Sequence, residues 1–294
     1  MSGERPRGAP RRAVLIGGAA VLLTAGPAHA AGPLGELEAR SGGRLGVCAV
    51  DVATGRRLTH RAGERFAMCS TFKALLAGAV LARVDRGLER LDRRIAYSEA
   101  DMVSHAPVTE KHLAEGSLSV EALCKATVEL SDNPAGNLLL KTLGGPAGFT
   151  AHLRRLGDRT TRLDRWETEL NSAIAGDPRD TTTPAAMVRT LQKLTIGSAL
   201  SPASRERLIG WMEASPTGRN RLRKTAPADW RAGDKTGTGE NGSTNDVAVF
   251  WPPTGGPIVM AAYLTETAAP FAEREAVLAE VGRIIVETFR PGAV

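Results

Sequence analysis

Residues 231–265, RAGDKTGTGENGSTNDVAVFWPPTGGPIVMAAYLT, read as three successive strands, Arg231–Thr238, Asp246–Trp251 and Ile258–Thr265, with Pro252-Pro253-Thr254-Gly255-Gly256 turning the second into the third. An amphipathic helix is expected after them, from about Ala272 to Phe289. At the other end, Leu45–Val52 alternates as a strand, Thr54-Gly55 is a turn signal and Arg57 begins a returning arm, so the mature chain is expected to open with sheet. Between these ends the period becomes helical. Phe72, Leu75, Leu76, Ala79, Val80 and Val84 share one repeat that ends at Gly87, and further helical stretches follow at 119–130, 134–143, 146–156, 184–196 and 202–215. Strands supplied by both ends fit one sheet. The expected fold is α/β (α+β): an antiparallel sheet flanked by helices in a domain of residues 31–65 and 213–294, with an all-helical domain, 66–212, inserted and a cleft between them. The stretch Thr160–Thr183 has no sustained period and reads as a functional loop. Gly237-Thr238-Gly239-Glu240-Asn241-Gly242 spells a dinucleotide fingerprint, but a strand rather than a helix follows it, and the nucleotide-binding reading fails on that context.

Composition narrows the class. The chain has 294 residues, 42% hydrophobic and 24% charged, which suits a globular protein with a substantial core. After residue 30 there is no run of about 18 apolar residues, so no stable membrane anchor is expected in the body of the chain. Residues 1–30 have the form of an export signal: a basic start ending in Arg11-Arg12, an apolar run from Val14 to Gly26, and Ala28-His29-Ala30 as the cleavage site. The protein is therefore expected to be exported, extracellular or periplasmic. Arg11-Arg12 resembles a twin-arginine signal, with Pro10 and Val14 departing from that pattern, so the ordinary secretory route stays open. This segment supplies +3 of the formal charge of +6, and the weak remainder argues against a nucleic-acid partner. Cys48, Cys69 and Cys124 are expected reduced and buried, and neither they nor the five histidines fall in a zinc-binding spacing, so no metal is expected.

Three short polar motifs carry the chemistry. Ser70-Thr71-Phe72-Lys73 sets a hydroxyl and an amine three residues apart on one helical face, where Lys73, its affinity for a proton lowered by burial and a second cation, could activate Ser70. Alone, Ser70 could be a helix cap with Lys73 solvated, although a cation in the first turn opposes the helix dipole. Ser131-Asp132-Asn133 could end in an N-cap at Asn133 before Pro134, and Lys235-Thr236-Gly237 could close a strand. In the order S-x-x-K, S-D-N, K-T-G the three form one set, found in class A β-lactamases and penicillin-binding proteins.

The chain resembles the class A serine β-lactamases from the export signal to the last helix, and includes Arg165-Trp166-Glu167-Thr168-Glu169-Leu170-Asn171 followed by Asp180. The resemblance implies an Ω-like loop over 162–180, closed by an Arg165–Asp180 ion pair. It implies a Ser70 nucleophile, Lys73 or Glu167 through water as acylation base, Ser131 as proton relay to the ring nitrogen, and Glu167 with Asn171 activating the deacylating water. Asn133 would bind Lys73 and the substrate's side-chain amide. Lys235, Thr236, Thr238 and Arg221 would receive the substrate carboxylate, with backbone N–H groups of Ser70 and Thr238 holding the oxyanion. Many relatives supply the carboxylate-binding cation from the strand after K-T-G, where Thr244, Asn245 and Asp246 offer none, and a subset uses the position of Arg221. His105 falls where relatives often place an aromatic gatekeeper. Cys69 would pair in some relatives with a position that is Gly239 here, and Cys124 with one that is Ala77, so neither bridge can form. Thr168 replaces a common proline after the Glu, leaving the peptide cis or trans. The implied activity is hydrolysis of penicillins and cephalosporins by a monomer with no cofactor. An acylating penicillin-binding receptor and a polyanion-binding protein are the alternatives.

Overall fold

The computed structural model describes residues 1–3 and 32–293; the stretch expected to be an export signal falls almost wholly outside the described residues, as does its expected cleavage site. In chain order the elements are α1 (Pro33–Ser41), β1 (Arg44–Asp51), β2 (Arg57–His60), β3 (Phe66–Ala67), α2 (Phe72–Val84), β4 (Arg94–Ala96), β5 (Ser117–Ser119), α3 (Val120–Glu129), α4 (Asn133–Leu143), α5 (Gly145–Arg155), β6 (Thr181–Thr182), α6 (Pro184–Thr195), α7 (Pro202–Ala214), β7 (Arg231–Thr238), β8 (Thr244–Trp251), β9 (Ile258–Thr265) and α8 (Phe271–Phe289).

Five strands form one antiparallel sheet in the order β2-β1-β9-β8-β7, two from the N-terminal end and three from the C-terminal end, as the sequence implies. The central strand β9, IVMAAYLT, is buried along its whole length, because helices cover both sheet faces and a strand between two apolar layers reads as a continuous hydrophobic run. Leu45, Val47, Phe250, Met260 and Leu264 pack on one side against Leu34 and Leu37 of α1 and Leu278, Val281 and Ile285 of α8. Val50, Val247, Val259 and Tyr263 face the other side, in a core shared with α2, α3, α4 and α6. At about 25 cal/mol per Å² of apolar area removed from water, each fully covered Leu, Val or Phe contributes roughly 1.5–3 kcal/mol to holding these layers together.

Two local expectations need correction. The chain enters the fold through helix α1 rather than sheet; Pro33 at its first turn and Gly42 in the left-handed conformation (φ 62°) punctuate a helix too short for its period to stand out. Strand β1 does not alternate between wet and dry, since seven of its eight residues are buried. Helix α2 is buried nearly all round, with ten of its thirteen residues inside, which makes it the central post of the helical side. The small β3–β6 ladder pairs Phe66 with Thr182 and Ala67 with Thr181, and Met68 N–H donates to the Asp180 carbonyl at 2.9 Å. The end of the irregular loop is thereby tied to the turn that carries Ser70. Among the described residues no helix is long and apolar enough to cross a membrane.

Candidate active site

A cleft of about 400 Å³ is lined by Ser70, His105, Ser131, Asn133, Asn171 and Arg221, together with Thr217, Thr236, Gly237, Thr238, Phe271 and Glu275. Ser70 sits in a short 3₁₀ turn, Cys69–Thr71, that runs into α2, and its side chain caps nothing. Cys69 just before it adopts φ 46°, and Ser131 and His105 adopt 58° and 62°. Side chains at positive φ carry backbone strain, and strain held in this way belongs where surrounding contacts must aim a side chain.

Lys73, one turn into the core, has its ammonium 2.7 Å from the Ser131 carbonyl, 2.5 Å from Asn133 Oδ1 and 2.9 Å from Glu167 Oε1. Burial holds its pKa below the usual lysine range, with the charge of Glu167 opposing that effect. The helix that follows the S-D-N segment is capped by Asp132, not Asn133: Asp132 accepts from the N–H groups of Ala135, Val108 and Thr109 and from the Thr109 hydroxyl. This arrangement frees Asn133, whose Nδ2 donates to the Ser104 carbonyl while its Oδ1 takes the Lys73 proton donor.

Within the stretch 162–180, Arg165 and Asp180 form an ion pair. Arg165 Nε lies 2.6 Å from Asp180 Oδ2, and Asp180 Oδ1 accepts the N–H groups of Asp164 and Arg165. Glu167 is fastened from α4 by Asn137, whose Nδ2 donates to the Glu167 carbonyl at 2.9 Å and whose Oδ1 accepts the Glu167 N–H at 3.0 Å. The Glu167–Thr168 peptide is cis. The Glu167 carboxylate accepts from Ser70 Oγ at 3.2 Å and from Asn171 Nδ2 at 2.6 Å. Asn171 Oδ1 is buried without a hydrogen-bond partner among the described residues.

Strand β7 brings the third motif. Lys235 Nζ donates to Ser131 Oγ at 3.0 Å and to the Thr236 carbonyl at 2.8 Å. Its pKa is pushed down to about 7, by burial first and by the Lys73 charge second. Gly237 lets this strand press against the Ser70 turn, because a Cβ there would stand 2.7 Å from the Met68 carbonyl oxygen and 3.1 Å from Thr71 N. A Cβ on Gly239 would likewise meet Cys69 Sγ at 2.6 Å; Cys48, Cys69 and Cys124 are all buried and free, and burial pushes the Cys69 thiol up to about 12.

Arg221 comes from the loop ahead of β7 and is almost fully buried, yet reaches the cleft. Its Nη1 donates to the carbonyls of Gly237 and Asn245, its Nη2 to Thr238 Oγ1 at 2.9 Å, and its Nε to Glu275 at 3.1 Å. Of the five guanidinium N–H groups, one on Nη2 is left over. His105 stands exposed at the rim, its Nε2 2.9 Å from the Leu130 carbonyl. Sequence reasoning missed Asn137, Thr217, Phe271 and Glu275. Only Asn137 left a signal, four residues after Asn133 on the same helix face. Thr217 meets Thr236 Oγ1 at 2.8 Å across a loop without sequence signature. Among the described residues no group of three or more His, Cys, Asp or Glu side chains is arranged to hold a metal ion.

A hydroxyl at the cleft, two buried amines and a carboxylate are thus joined by hydrogen bonds and an ion pair, directly or through Ser131, between a sheet edge and a helical layer. A sequence model of the β-lactamase enzyme family matches residues 33–289. A β-lactamase of Nocardia asteroides is 51% identical over 252 residues, 86% of this chain and 81% of the relative. A carbapenem-hydrolysing β-lactamase of Klebsiella oxytoca is 48% identical over 256 residues, 87% of each. An ancestral class A β-lactamase structure superposes with a TM-score of 0.86 at 63% identity, covering 87% of this chain and 98% of that one. The chain belongs to the class A β-lactamases, serine hydrolases that act on cyclic amides.

Proposed function

We propose that this enzyme is exported and opens penicillins and cephalosporins through a Ser70 acyl-enzyme that water, activated by Glu167, then hydrolyses. The observation that carries the reading is the convergence of Ser70 Oγ, Lys73 Nζ and Asn171 Nδ2 on one carboxylate, at 3.2, 2.9 and 2.6 Å. Ser70 attacks the lactam carbonyl after losing its proton to Lys73 or, through water, to Glu167. Ser131, hydrogen-bonded between Lys235 and Lys73, delivers a proton to the departing ring nitrogen. The substrate carboxylate meets Lys235, Thr236 and Thr238. The Thr238 hydroxyl accepts from Arg221 and so keeps its own proton to donate. The ester that remains is open to a water held by Glu167 and by the unpaired Asn171 Oδ1. The sheet and α8, within residues 32–65 and 213–293, form one wall of the cleft in this reading, and residues 66–212 the other, with His105 as gatekeeper.

Purified protein mixed with excess chromogenic cephalosporin should release colour continuously over many turnovers. Colour that stops at one equivalent per chain would instead mark a receptor that acylates and stalls.

A further inference from the structure

Phe271, the first residue of α8, is 45% exposed and belongs to neither hydrophobic core, so burial on folding does not account for it. It lines the same cleft as Ser70 and Arg221. Its ring is held by cations: the Arg221 guanidinium carbon lies 5.5 Å from the ring centroid and that of Arg274 5.4 Å. Both cations are themselves anchored, Arg221 by Glu275, Gly237, Asn245 and Thr238, and Arg274 by a hydrogen bond to Thr244 Oγ1 at 3.2 Å. An aromatic ring fixed in this way loses little freedom when a ligand packs on it. Its place is at the Arg221 end of the cleft, where the substrate carboxylate is received in the reading above, on which this inference rests.

We propose that Phe271 is a specificity-determining residue, an aromatic wall that stacks with planar π-substituents attached next to the carboxylate-bearing carbon of the substrate ring. Cephalosporins with an aryl group at that neighbouring ring carbon would be preferred over those with a small alkyl group there, because an alkyl group leaves the ring face wet. Offset stacking adds to the simple burial of area, and its loss should cost about fivefold in the ratio of kcat/KM values, or about 1 kcal/mol.

The test uses two cephalosporins with the same acylamino side chain, one carrying a methyl group and the other a neutral vinyl-linked aryl ring at the ring carbon next to the one that bears the carboxylate. The readout is the aryl-to-methyl ratio of kcat/KM in wild type, F271A, F271L and F271W. The ratio should fall about fivefold in F271A and F271L, mostly through KM, and hold in F271W, with melting temperatures unchanged in all three. An unaltered ratio in F271A, whether both substrates suffer equally or neither does, would overturn the proposal, as would an F271L ratio equal to that of wild type. A wild-type enzyme that turns over neither substrate would defeat the functional reading itself. Turnover of both with no discrimination at position 271 would defeat this inference alone.

Discussion

Replacing Glu167 by alanine should convert the enzyme from a hydrolase into a trap. The carboxylate touches Ser70, Lys73 and Asn171 at 3.2, 2.9 and 2.6 Å, so on the proposed mechanism its removal leaves the nucleophile in place but takes the base from the face that the deacylating water would approach. General-base assistance is worth roughly 10² to 10⁴ in rate. If acylation and deacylation are about equal in the wild type, about half of the enzyme is acylated at saturation; slowing deacylation by only about 10² raises that fraction to about 0.99. Even with acylation slowed about tenfold as well, the fraction stays near 0.9. Glu167→Ala mixed with a penicillin and acid-quenched should therefore show, by intact mass, a stable adduct equal to the whole mass of the drug, because opening the ring expels no atoms. Ser70→Ala in the same background should show none. Burial depresses the Lys73 amine and the Glu167 charge opposes that, so the variant has a more readily deprotonated Lys73. A rapid adduct burst would then name Lys73 as acylation base, and a slow burst Glu167. Undiminished steady-state hydrolysis with no adduct would remove Glu167 from its role and refute the reasoning.

Two further predictions concern charge. In the proposed mechanism the Lys235 ammonium, pushed down to about 7, serves as the cation for Ser131 and the substrate carboxylate, so kcat/KM should fall as pH rises through about 7 in free enzyme. The bound carboxylate favours the ammonium, so the corresponding limb of kcat should lie at higher pH; Lys235→Arg should abolish the kcat/KM limb, as pH–rate profiles of both enzymes would reveal. Arg165→Ala strands the buried Asp180 carboxylate, which keeps only backbone N–H donors. The cost should be about 3 kcal/mol, near the lower end for a broken buried pair, and at roughly 2–4 °C per kcal/mol the melting temperature should drop by roughly 6–12 °C in a thermal scan.

Much of the fold was legible because its signals are local. The expected spans of α3 to α8, β7 and β9 match the observed ones to within a residue or two, since each is bounded by Gly, Pro or a capping hydroxyl, as with Ser119, Thr183 and Ser201. Helix α1 was not legible, because nine residues with two buried leucines present no measurable period. Sequence alone left a cap at Asn133 open, because Asn and Asp cap helices equally well, whereas the cap falls on Asp132. Only the surroundings, with Thr109 on one side and Lys73 on the other, decide which of the two side chains turns inward.

The order of residue types along the chain was enough to single out the groups proposed to react, because nucleophile, amine, amide and acid are properties of side chains and their spacing in three short motifs can be read without the fold. Distance and dielectric are different in kind. That Glu167, 97 positions from Ser70, arrives at 3.2 Å, that Lys235 loses most of its hold on a proton, and that Phe271 is pinned beside Arg221 all depend on which segments pack together. Coulomb forces, desolvation and ring contacts act through space, so packing alone decided them.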